Sequence, residues 1–248
     1  MIALDETLFV SAFGQDAEGR TSPMYQICST AYGGSLYGGF RRFSVSCNAP
    51  RGGSFKADRV GIETELKTRV HDIDRVRGLL RQRAAEQNSM YADSYFDTPD
   101  LALTHNGCEL RVREVHTDDD AAVTLLTYKG APVHAASRSK PETETTVGDA
   151  DALRAVLAAL GFEVLIAFEK RCSNYRFTAA GQPLLATLVY VPELEETFLE
   201  IETIVDFETD VGPALEVIRQ VMGQLELDRN DETTEAYTEA VAAHRNKP

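Results

Sequence analysis

From Gly61 onward, apolar and polar residues alternate in short runs. Each run reads as a half-buried strand, because successive side chains on a strand point to opposite faces. The alternation predicts strands at 61–70, 91–97, 108–114, 122–129 and 138–147, and three more at 164–177, 184–191 and 197–205. Between some of them the period changes to that of a helix. Ile73, Val76 and Leu80 share one face of a segment starting at about Asp72. Leu153, Val156, Leu157 and Leu160 form an apolar stripe over 149–160, which Gly161 ends with a left-handed stop. Two further helices are predicted over 211–225 and 233–244.

Eight strands with only two long helical segments between them favour a sheet of mostly antiparallel strands over parallel α/β winding, which needs a helix at most crossovers. The predicted fold class is α+β: an eight-stranded, mostly antiparallel closed β-barrel with flanking helices. Residues 1–57 differ in kind. They are rich in glycine and serine, with Gly33-Gly34, Gly38-Gly39 and Gly52-Gly53, and they carry five basic against four acidic residues. They read as a flexible N-terminal extension, followed by one domain over 58–248.

Composition narrows the function. At 248 residues and 43% hydrophobic content the chain has ample material for a core. No apolar run approaches the roughly 20 residues of a membrane span, and the N-terminus lacks a basic segment followed by an apolar one, so the expected location is cytoplasmic. A net charge of -14 argues against a nucleic-acid surface. Cys28, Cys47, Cys108 and Cys172 are scattered without zinc-ligand spacing, and the five histidines show none either. The paired glycines are not followed by a GK[ST] sequence, so a phosphate-binding P-loop is rejected.

The chemistry lies in the polar faces of the strands. Alternation puts Glu63, Glu65, Lys67 and Arg69 on one side of the first strand, and Glu109, Arg111 and Arg113 on one side of another. Arg138, Lys140, Glu142 and Glu144 share a face, as do Glu200 and Glu202. Taken singly, each is an ordinary solvated face. Closure of the sheet could instead turn these faces into a lumen of acids and bases. A triphosphate needs both, cations for its oxygens and carboxylates for the divalent metal that bridges them.

These residues resemble the CYTH family of triphosphate tunnel enzymes. Glu63-Thr64-Glu65-Leu66-Lys67 is an ExExK motif, Tyr95-Phe96-Asp97-Thr98-Pro99 resembles YFDTP, and Gly107 to Arg113 resembles G-x-x-LRxR. Leu126-Thr127-Tyr128-Lys129-Gly130 resembles the LTYKG of class IV adenylate cyclases. Glu142-Thr143-Glu144, Leu160-Gly161-Phe162 and Phe198-Leu199-Glu200-Ile201-Glu202 follow in family order, so the likeness covers about residues 60–205.

The resemblance implies an eight-stranded tunnel with Mg²⁺ or Mn²⁺ held by Glu63, Glu65, Glu200 and Glu202. It implies phosphate binding by Lys67, Arg111, Arg113, Lys129, Lys140 and Lys170, with Glu63, Glu65, Lys67 and Lys129 as the catalytic set. The expected partner is a nucleoside triphosphate or polyphosphate, with no nucleic acid and no membrane, and a homodimer stays open. The first expectation for activity is a class IV adenylate cyclase, ATP to cyclic AMP and pyrophosphate. A triphosphatase acting on inorganic tripolyphosphate or thiamine triphosphate is the alternative, and a non-catalytic nucleotide or polyphosphate sensor the second.

Three departures qualify the likeness. Glu169-Lys170-Arg171-Cys172 stands where the family has K-x-R, with Lys170 taken as the lysine and Arg171 left open. Lys140 stands where members often have arginine. Val189 to Glu196 lacks the acid and the glycine turn found before the last strand of cyclase-like members.

Overall fold

The computed structural model describes residues 9–15, 21–27, 60–117, 122–134, 137 and 139–247. The chain divides into two compact units, Met1–Ser54 and Phe55–Pro248. In the first, β1 (Phe9–Gln15) and β2 (Thr21–Ile27) pair antiparallel, with Phe9 opposite Ile27. Irregular chain was expected here from the glycines and serines. Phe9, Val10, Phe13 and Tyr25 are residues of high strand preference, a local signal that the segment's composition conceals.

The second unit runs β3 (Gly61–Arg69), α1 (Ile73–Arg81), β4 (Gln87–Asp97), α2 (Ala102–His105), β5 (Glu109–Thr117), β6 (Val123–Lys129) and β7 (Lys140–Val147). It continues with α3 (Ala150–Ala159), β8 (Glu163–Ala179), β9 (Gln182–Val191), β10 (Glu196–Val205), α4 (Glu208–Gln224), a 3₁₀ turn at Arg229–Asp231, and α5 (Tyr237–Arg245). The strands close in the order β10-β3-β7-β6-β5-β4-β8-β9, every pairing antiparallel. The predicted closed barrel of eight strands is therefore present. Arg138, at the start of one predicted strand, lies outside the described residues. The seam between β3 and β7 is only three residue pairs long and includes Pro141, which has no N–H to give the ladder.

Apolar faces decide what covers the barrel. Leu184, Ala186 and Leu188 of β9 and Leu199 and Ile201 of β10 pack with α1 through Val76 and Leu80, and with α4 through Val211, Leu215, Ile218 and Met222. Asp72 starts α1 by accepting from the Arg75 amide at 3.1 Å, and Asp149 starts α3 by accepting from the Ala152 amide at 2.9 Å. The α3 stripe is narrower than expected. Leu157 packs on Phe96 and Val112 with Leu153 beside it, whereas Val156 and Leu160 are 54% and 69% exposed. The sheet surface beneath α3 accepts one ridge of the helix and leaves the margin of its stripe in water.

The YFDTP-like run is a structural corner. The Asp97 carboxylate accepts from the amides of Thr98, Leu103 and Thr104 and from the Thr104 hydroxyl, at 2.8, 2.9, 2.9 and 2.6 Å. These bonds outweigh its burial and hold its carboxyl down at about 2. It thereby fixes the turn into α2, which sequence periodicity was too short to reveal. Among the described residues no helix is long and apolar enough to cross a membrane.

Candidate active site

Register brings the charged faces together. Across β3 and β10, Lys67 stands opposite Glu200 and Glu65 opposite Glu202, while across the seam Glu63 stands opposite Lys140. Glu109 stands opposite Lys129, and Lys129 in turn opposite Glu142. Because partners directly opposite point to the same side, these rows meet inside the barrel. All ten residues named from the sequence, Glu63, Glu65, Lys67, Arg111, Arg113, Lys129, Lys140, Lys170, Glu200 and Glu202, line one cavity of about 570 Å³.

The cavity has an acidic region. Glu63, Glu65 and Glu202 each bring a carboxylate oxygen within 4.8 Å of the others. Burial pushes the Glu65 carboxyl up to about 7, aided by the Glu63 and Glu200 carboxylates, and burial with the same crowding raises Glu202 well above the usual range. Burial also acts on Glu63, but the Lys129 ammonium outweighs it and holds that carboxyl down. Oxygen-only donors this crowded suit a hard divalent cation. Glu200, the fourth expected ligand, stands outside this trio. Burial, together with the Glu200 carboxylate, pushes the neighbouring Tyr237 phenol well above its usual range.

The basic region is built from β5 and β8. Arg111 is largely buried, donates to the Thr127 hydroxyl at 3.2 Å and lies 3.7 Å from Glu144, while its Nε is buried without an acceptor. Arg113 lies over the Tyr91 ring at 4.3 Å. Lys170 and Lys67 flank the Tyr237 ring, 4.2 and 4.1 Å from its centre. Lys140 is held by Glu109 at 2.6 Å. Lys129, expected among the phosphate-binding and catalytic residues, is paired with Glu63 and, at 3.1 Å, with Glu142.

The faces of β8 resolve the position left open at Arg171. Lys170 points into the lumen, and Arg171 points away into a separate outer groove with Arg77 and His116. Cys172 is buried among Phe168, Val189 and Phe198, and burial pushes its thiol up to about 12, so it packs as a protonated side chain. Arg69, on the same face as Glu63, is paired with Glu196 and Glu235 at 3.5 and 3.2 Å.

Other residues of the site escaped sequence reasoning. Asp93, wholly buried, binds both Arg113 and Lys170. Tyr237 and Val241 of α5 pack with Phe198, Val189 and Val191, and Tyr237 also lines the cavity. Just ahead of α5, the Glu235 carbonyl accepts from Lys67 and the Thr233 amide donates to the Lys67 carbonyl at 2.9 Å. An acid flanked by Ala92 and Ser94, and a tyrosine at the head of a tail helix, carry no local pattern that marks them.

The CYTH domain family model matches residues 61–237. The chain is 23% identical over 180 residues to MJ0240 of Methanocaldococcus jannaschii, which carries a provisional adenylate cyclase name, covering 72% of this chain and 97% of that one. It is 31% identical over 120 residues to adenylate cyclase CyaB of Aeromonas hydrophila, covering 46% of this chain and 56% of that protein. The solved structure of the PH1819 protein of Pyrococcus horikoshii covers 73% of this chain and 98% of its own, with a TM-score of 0.63 and 22% identity, a likeness of fold.

Proposed function

Because the chain belongs to the CYTH domain family, we propose that it is a metal-dependent enzyme that binds ATP in the barrel lumen and converts it to cyclic AMP and pyrophosphate. One observation carries this reading: the cavity wall presents nine carboxylates and seven basic side chains. The acids outnumber the bases, so a ligand with close to four negative charges needs accompanying cations. Carboxylates grouped as Glu63, Glu65 and Glu202 have the donor set to supply the site for them. A bound divalent ion would neutralise charge developing on the phosphate oxygens.

The protein's own part is positioning. Arg111, with its unpaired buried Nε, and Arg113 offer guanidinium donors to phosphate oxygens, and Lys67 and Lys170 offer point charges across the Tyr237 ring. In cyclisation the ribose 3′-hydroxyl gives its proton to solvent and its oxygen bonds the α-phosphorus. The bond from that phosphorus to the oxygen bridging to the β-phosphate breaks and pyrophosphate leaves, so holding the triphosphate in line is the main demand. No side chain has to become covalently attached. The adenylate cyclase names of two relatives and the LTYKG-like run on β6 support the same reading.

One feature favours a second reading, a triphosphatase. Where cyclase-like members place an acid before the last strand, Val189 and Val191 sit in the apolar cluster closed by Tyr237. The turn that follows has Glu195 in the left-handed region at φ 55° where a glycine would be free of strain.

Chromatography of the products separates the readings. Purified protein with ATP and Mg²⁺ or Mn²⁺ is expected to yield cyclic AMP and pyrophosphate. Orthophosphate alone, from ATP, tripolyphosphate or thiamine triphosphate, would assign hydrolysis, and no product from any of the three would leave a binding protein.

A further inference from the structure

Asp93 sits on β4 behind the cations of the lumen, its side chain wholly buried. Its Oδ1 accepts from Arg113 Nε at 2.6 Å and its Oδ2 from Arg113 Nη2 at 2.7 Å. Lys170 Nζ lies 3.2 Å from Oδ2. Arg113 is the residue directly opposite Asp93 across β4 and β5, and Lys170 faces its neighbour Tyr91 across β4 and β8. One carboxylate thus ties together cations delivered by the two strands that flank its own.

We propose that Asp93 is a positioning residue that pins Arg113 and Lys170 for the triphosphate and withholds part of their charge from it, so that the polyanion is held in line yet can leave. The proposal rests on the triphosphate reading of the lumen. Arg113 and Lys170 would repel each other in a low-dielectric interior, and a carboxylate between them removes that repulsion. Asp93 engages the Nε and Nη2 edge of the Arg113 fork and the Tyr91 ring supports its plane, so the guanidinium has one orientation when a phosphate arrives. Burial opposes charge on Asp93, but Lys170 and Arg113 hold its carboxyl far below the usual range, so it stays ionised.

The expected signature differs from that of a structural ion pair. A neutral side chain at position 93 adds one net positive charge to the phosphate site and frees both cations. Anion binding should then tighten while turnover falls, because the cations lose alignment and the product is held longer. Loss of a merely structural bridge would weaken binding or leave it unchanged.

The test measures calorimetric binding of inorganic tripolyphosphate to the full chain in saturating Mg²⁺, for wild type and Asp93→Asn, alongside kcat and KM for ATP with metal. The variant should bind tripolyphosphate at least about tenfold more tightly and, where ATP turns over, show kcat and KM both lowered, kcat by about tenfold or more. Unchanged or weaker binding overturns the proposal, as does an unchanged kcat. Should Asp93→Asn fail to fold alone, Asp93→Asn/Lys170→Gln is compared with Lys170→Gln, and the same tightening is required. Wild-type protein that binds tripolyphosphate but makes nothing from ATP overturns the reaction assigned above, while the binding comparison still decides the role of Asp93. Absence of tripolyphosphate binding in both proteins overturns both.

Discussion

Glu202→Gln is expected to lower kcat/KM by about 10²- to 10³-fold and to raise the metal concentration needed for half-maximal activity. The substitution keeps the size of the side chain and one oxygen, but removes a charge from the group in which Glu63, Glu65 and Glu202 approach within 4.8 Å. Stability should move the other way or not at all. Burial and its carboxylate neighbours push Glu202 well above the usual range, which means its charge is unfavourable in the metal-free lumen. Steady-state kinetics over a Mn²⁺ titration, paired with thermal unfolding in chelator, check both halves. A variant that keeps full activity, or one that loses activity only because it unfolds, would contradict the role given to the acidic region.

Arg111→Met is expected to weaken triphosphate binding by about 2–4 kcal/mol, or roughly 30- to 1000-fold, with little cost in stability. Arg111 is largely buried, its Nε has no acceptor, and its nearest acid is Glu144 at 3.7 Å. Such a cation contributes little to folding, since desolvation is only partly offset. Thr127 would still donate to Glu144 at 2.8 Å after the change, so no new buried donor is orphaned there. Tripolyphosphate titration and thermal unfolding on the same preparations separate the effects. Equal binding in variant and wild type would remove Arg111 from the phosphate site.

The barrel was legible because a two-residue period survives in nearly every strand, as in Glu63, Glu65 and Lys67 against Ile62 and Leu66. Period assigns side chains to faces, and a one-residue shift exchanges the faces, which is why Lys170 and Arg171 part company so cleanly. Period does not say how far along the tunnel each charge lies. Lys129, expected to bind phosphate, has Glu142 as its partner across the strand pair, a register that also brings it beside the acidic region. Asp93 was missed because its meaning depends on Arg113 and Lys170, which are distant in sequence and adjacent only through β5 and β8. The exposed Val156 and Leu160 show the converse, a clear helical stripe wider than the surface it meets.

The most direct test of the lumen as a metal–triphosphate site is a crystal structure of the full chain grown with Mn²⁺ and a non-reactive ATP analogue, read by the anomalous scattering of manganese. The expected result is a manganese peak in coordination contact with Glu63, Glu65 and Glu202, and a phosphate chain reaching from that peak to Arg111, Arg113 and Lys170. Nucleotide bound outside the barrel, or manganese bound away from those carboxylates, would contradict it.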